Sequence, residues 1–235
     1  MARPSAKPER VPWVSDQSIE AEADVLFALW QREHGEVADP PVPVDDMIEL
    51  QLKLRYEIDD LQRRFGHSDV LGAIWFKDGL IRVDQSLDPV AHPPMLGRYR
   101  FTLAHEIGHW QLHRKVFAVD ESQMTLTTKS DEPAFVCRST DQAREEVQAN
   151  KFAAFLLMPR DLVRRSWVKW RGGDDMVCVL DLDVPNLSTS LKENQNAAMQ
   201  RYSKPMAERF HVSAEAMSYR LEALGVLVRD RSLFG

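Results

Sequence analysis

The sequence predicts an α+β fold: a small, mostly antiparallel sheet packed on helices, with a helical segment toward the C-terminal end. Three observations carry this. Residues 70–84 set two β-rich runs on either side of an Asp-Gly turn. Residues 98–115 and 140–158 repeat apolar side chains at helical spacing. Residues 204–225 read as helix, turn, helix.

Each element has a local reason. Residues 1–17 are basic at the start, carry Pro4, Pro8 and Pro12, and read as a flexible tail. From Ser18 to Glu33, the side chains of Ile19, Ala23, Leu26, Phe27 and Trp30 share one helical face, and His34-Gly35 closes the helix. ADPPVPVDD (38–46) is a proline-rich connector. Between Met47 and Leu61, the alternation of Leu50, Leu52, Leu54, Tyr56 and Ile58 fits a strand, or a short helix followed by one. VLGAIWF and LIRVD then flank Lys77-Asp78-Gly79, whose glycine supplies the positive φ of a hairpin turn. After a proline-containing loop (87–97), a helix runs from Arg98 to about Lys115 with Phe101, Ala104, Ile107, Gly108 and Leu112 inward. The polar stretch 118–138 is expected to be an irregular loop. Ser139 and Gln142 spell a capping box for a helix from Thr140 to Met158, which Pro159 stops. A basic amphipathic helix over 160–171 ends at Gly172-Gly173. The expected organisation is a tail (1–17), one main domain (18–172) and a helical extension (173–235).

Composition narrows the function. With 44% hydrophobic and 28% charged residues in 235, the chain can bury a core and is not disordered. A net charge of −6 excludes a surface that is basic all over, so nucleic acid is not a general partner. Cys137 and Cys178 are the two cysteines, which excludes a disulfide framework and points to a reducing, cytoplasmic setting. No stretch approaches the roughly 18 apolar residues of a membrane span, so no membrane partner is expected.

The chemistry lies in HEIGH at 105–109. Side chains four apart on a helix share a face, so His105 and His109 can present two imidazoles to one Zn²⁺. Glu106 is placed to act as general base toward a water at that metal. A catalytic zinc takes three protein ligands and keeps one position open. The extended motif HExxHxxGxxH is excluded, because Leu112 stands for its glycine and Lys115 for its third histidine. REEVQAN (144–150) offers the missing ligand as Glu146, with Asn150 one turn later to orient a ligating histidine. Glu145 is the rival for the ligand role. Candidates for an oxyanion stabiliser are His113, Tyr99 and Tyr202.

RYRFTLAHEIGHWQLH (98–113) followed by EEVQANKFAAFLLMP (145–159) resembles the ImmA/IrrE family of zinc metallopeptidases, over roughly residues 45–165. The resemblance implies a zincin-like fold, zinc held by His105, His109 and Glu146, and Glu106 as base. It also implies a protein substrate: a helix-turn-helix repressor encoded nearby, cleaved to derepress stress, mobile-element or defence genes. The competing reading is a DNA-binding regulator with a sensory or vestigial zinc site.

Three weaker signals complete the reading. Arg and Lys interleave with Trp167 and Trp170 over 160–171, a pattern able to hold single-stranded nucleic acid but also that of a solvated helix with buried tryptophans. The strand Leu80–Asp84 is expected to bind extended substrate along its edge. Cys137, near the polar loop, is a candidate inhibitory zinc ligand, or a buried small hydrophobe.

Overall fold

Strands β1 (Arg55–Asp59), β2 (Val70–Trp75), β3 (Leu80–Asp84) and β4 (Phe135–Arg138) form one sheet in the order β1-β3-β2-β4. The computed structural model describes residues 11–116, 133–138, 143–181 and 191–229. The hairpin is formed as expected: β2 and β3 are antiparallel with Ile74 opposite Ile81, and Gly79 has φ +56°. β4 adds antiparallel to β2, whereas β1 adds parallel to β3. β1 is exposed or half-buried throughout, β4 alternates with Phe135 and Cys137 buried and Val136 half-buried, and β2 and β3 are buried along almost their whole length, as central strands covered on both faces must be.

Two expectations change here. The stretch 118–138 is not irregular throughout, because Phe135–Arg138 is a strand; residues 117–132, and the predicted cap Ser139 and Gln142, lie outside the described residues. Nor is β3 an edge, since β1 and β2 flank it and leave its main-chain groups no room for a peptide. Hydrophobicity alone could not tell a central strand from an edge strand here.

The alternation over 47–61 resolves into its second option. Residues Met47–Gln51 make a π-helical turn, and the chain then extends into β1. Leu50 and Ile58 stay exposed. Helix α1 (Asp16–His34) buries Ile19, Ala23, Leu26, Phe27 and Trp30, the five expected positions. Helix α2 (Leu61–Phe65) is capped by Asp60, whose side chain accepts from the Arg63 amide, and packs Leu61 and Phe65 on Val70, Ala73, Trp75 and Leu80. The opposite face of the sheet receives α3 (Leu96–Leu112), where Thr102 and Glu106 lie against Gly72. Helix α4 (Arg144–Leu157) carries the second motif.

The chain divides into two compact units, one of residues 1–26 with 43–153 and one of 27–42 with 154–235. The second holds α5 (Arg160–Arg171), β5 (Val177–Cys178), α6 (Leu191–Phe210), α7 (Ala214–Ala223) and β6 (Leu227–Val228), with β5 parallel to β6. Trp167 is fully buried there, its ring 5.6 Å from Trp170 and 6.1 Å from Tyr202. α6 starts well before the expected Lys204 and keeps Pro205 inside it. A proline at the second position of an apparent helix imitates a helix start, which is why the earlier turns went unread. Ser213 caps α7 by accepting from the Ala216 amide at 3.0 Å.

Candidate metal centre

α3 and α4 can approach because Gly108 has no side chain. A Cβ there would stand 3.1 Å from the Ala149 Cα and carbonyl oxygen and 3.2 Å from the Phe152 Cβ. The close crossing brings His105 and His109 to Glu146. The two Nε2 atoms are 2.9 Å apart, His105 Nε2 is 3.0 Å from Glu146 Oε2, and His109 Nε2 is 3.3 Å from Glu146 Oε1. Ligands held 2.0–2.1 Å from one tetrahedral ion lie about 3.3 Å apart, so the spacing suits a shared cation. All three side chains are buried. Glu145 is half-buried and outside this cluster.

The hydrogen bonds behind the histidines dictate where their protons are. His105 Nδ1 lies 2.9 Å from Asn150 Oδ1, so that nitrogen donates and Nε2 is bare. For His109 the chain of hydrogen bonds is longer. Gln148 Nε2 donates to the Pro12 carbonyl at 2.9 Å, which turns its Oε1 toward His113. His113 Nε2 donates to that oxygen at 2.9 Å, leaving His113 Nδ1 to accept from His109 Nδ1 at 3.0 Å. His109 Nε2 is therefore bare as well. Two nitrogen lone pairs and a carboxylate converge with no hydrogen among them, the donor set of a borderline cation such as zinc.

Burial drives the electrostatics. It holds His109 down to about 3 and lowers His113, so both rings are neutral. Burial alone would raise Glu146, but the nearness of the two imidazole rings outweighs it and brings the carboxyl below the ordinary range. Glu106 goes the other way: full burial, with the Glu146 charge adding, pushes its carboxyl well up. Neither Glu106 oxygen has a hydrogen-bond partner. The carboxylate occupies a slot that Gly72 leaves open, where a Cβ would come within 2.6 Å of Glu106 Oε1 and of Thr102 Cγ2. A fully buried, partnerless carboxylate thus stands beside three converging donor groups.

The remaining candidates separate. Asn150 stands behind His105, as the motif implied. Both ring nitrogens of His113 are engaged, one by His109 and one by Gln148, so it positions a ligand and offers nothing to an oxyanion. Tyr99 donates to Asp45 at 3.0 Å, and Tyr202 lies in the second unit against Trp167 and Trp170. Cys137 sits in β4 directly opposite Gly72. Its Sγ, a Glu106 oxygen and a His105 nitrogen lie within 4.8 Å of one another. Phe135, two residues earlier, stacks on His109 at 4.1 Å and 14°. Gly72, Gln148 and Pro12 were missed. A lone glycine inside VLGAIW was the available signal for a close approach, and Gln148 stood inside the second motif; nothing marked the Pro12 carbonyl.

In α5 the basic side chains have internal work. Arg164 donates to the Leu224 carbonyl at 2.8 Å, Arg165 to that of Val37 at 3.1 Å, and Lys169 pairs with Asp39 at 2.9 Å. The exposed face of α7 carries Glu215 and Tyr219, while Arg220 is buried and donates to the Met158 carbonyl.

Residues 92–175 match the model of a peptidase family, M78, described as the IrrE N-terminal-like domain. The resemblance to the ImmA/IrrE peptidases is thereby borne out over the segment that contains HEIGH, Glu146 and Asn150. No curated protein matches the chain. A solved structure of a Mycobacterium tuberculosis transcriptional regulator is similar with a TM-score of 0.47 and 13% identity, over 88% of this chain and 48% of that one. The chain thus spans about half the length of that relative.

Proposed function

We propose that the chain is a zinc-dependent endopeptidase acting in the cytoplasm on a protein regulator, a helix-turn-helix repressor as the ImmA/IrrE resemblance implies. Its cleavage would derepress stress, mobile-element or defence genes. One observation carries the reading: the partnerless carboxylate of Glu106 beside the convergent His105, His109 and Glu146. The match to a peptidase family over 92–175 supports it.

His105, His109 and Glu146 would hold the zinc, which when bound supplies a Lewis acid for the scissile carbonyl and acidifies a water. Glu106 would take a proton from the attacking water and return it to the leaving amine. Its dry slot favours the protonated form needed between those two events. Asn150 fixes the His105 ring, and the relay from Pro12 through Gln148 and His113 fixes His109, so both ligands stay aimed without adjustment. Extended substrate would add to β4, whose far side pairs with no strand among the described residues.

The competing DNA-binding reading gains nothing from α7, where the exposed face offers Glu215 and the arginine is buried. Single-stranded nucleic acid likewise gains nothing from α5, whose cations and Trp167 serve the packing of their own unit.

The test is to incubate the protein and zinc with the repressor encoded beside it and to map new termini by mass spectrometry. One defined cut, lost in Glu106→Gln and with chelator, is expected. A cut that persists in both would refute the proposal.

A further inference from the structure

We propose that Cys137 is a fourth side chain of the metal centre, a thiol that closes the open position on a bound borderline cation and so silences the site. The inference rests on the metal-centre reading above and assigns its regulation.

The placement is built by the sheet. Cys137 is buried on β4 and faces Gly72 across the β2–β4 ladder. The Cβ that Gly72 lacks would meet Glu106, so this register position looks onto the base. The thiol, a Glu106 oxygen and a His105 nitrogen accordingly fall within 4.8 Å of one another, a second ligand-bearing group sharing His105 with the first. The independent sign that something belongs between them is Glu106 itself, fully buried with both oxygens unpartnered.

Thiolate binds zinc at about 2.3 Å and imidazole at 2.0–2.1 Å, which in a tetrahedron puts sulfur and nitrogen about 3.6 Å apart. The thiol lies within 4.8 Å of a His105 nitrogen but forms no such group with His109 or Glu146, so closure asks for a shift of more than about 1.2 Å toward those two. Among the described residues β4 is bonded to a strand on one side only, so a shift of that size breaks no second ladder. On closure the S–H proton passes to the Glu106 carboxylate and a sulfur–metal bond forms. The sulfur then stands where the water would be, and Glu106 has nothing to deprotonate. A peptide adding to β4 would draw the strand outward and reopen the position.

Cobalt(II) titrated into the full chain separates the possibilities. Visible bands of a four-coordinate nitrogen and oxygen site report the three ligands, and a near-ultraviolet thiolate-to-cobalt charge-transfer band reports Cys137. Both are expected in the unaltered chain. Cys137→Ser should keep the visible bands, lose the charge-transfer band and release cobalt to a chelator about tenfold more readily; Cys178→Ser should change nothing. Visible bands without a charge-transfer band in the unaltered chain would overturn the role of Cys137 and leave the metal centre standing. No cobalt bound at all, or binding indifferent to His105→Ala and Glu146→Ala, would overturn the centre and the inference together.

Discussion

Gly72 and Glu106 compete for one volume, and the glycine yields it. Gly72→Ala places a methyl 2.6 Å from the carboxylate oxygen and from the Thr102 methyl, so the base must leave its slot while the three ligands stay. Peptidase turnover should fall at least tenfold with zinc content unchanged; parallel loss of both would show instead that the strand had shifted. Residues behind the ligands act on the metal itself. Gln148→Leu and Asn150→Ala should each weaken zinc about 10–100-fold, read by chelator competition, whereas Glu145→Ala should leave it unchanged. The pH dependence follows from His109, whose folded pKa of about 3 lies below the ordinary 6.5. Between those values the unfolded chain takes the proton and the folded chain refuses it, so stability without metal falls as the pH drops from 6.5. Glu106, raised by burial, acts in the opposite sense and masks part of this. In Glu106→Gln with chelator, the Tm at pH 5 should therefore lie clearly below that at pH 7, His113 acting in the same sense as His109; equal values would mean that the two rings are not buried and neutral.

At the scale of elements, legibility tracked the range of the interaction. HEIGH puts His105 and His109 on one face by i, i+4 spacing, EEVQAN puts Glu146 one turn before Asn150, and α1 and the β2–β3 hairpin follow from local periodicity and one glycine, so all these placements were readable. What pairs with what was not. The parallel addition of β1 to β3, and the role of β4 as the sheet edge beside the site, arise from contacts far apart in sequence that leave no local periodicity. The His113 relay failed to show for the same reason, since it ends on a backbone carbonyl that any residue possesses. In α5 the two readings of an Arg–Trp pattern differ only in what surrounds it. Trp167→Ala should cost about 3–5 kcal/mol in urea unfolding, as a fully buried aromatic does. Lys169→Ala removes an exposed ion pair and should leave the urea midpoint nearly unchanged.

For the molecule as a whole, no described helix is long and apolar enough to cross a membrane, and the chain carries a net charge of −6. The proposed ligands, base and positioning residues, with the Pro12 carbonyl, all fall within the unit of residues 1–26 and 43–153. The central claim is that this unit is built around one catalytic metal. Equilibrium dialysis against zinc, with metal counted per chain, tests it most directly. The account predicts one zinc in the unaltered protein and in Glu106→Gln, and less than about a tenth of that, at the same free zinc, in His105→Ala, His109→Ala and Glu146→Ala. Full zinc occupancy in a folded Glu146→Ala protein, or zinc lost on Glu106→Gln, would contradict it.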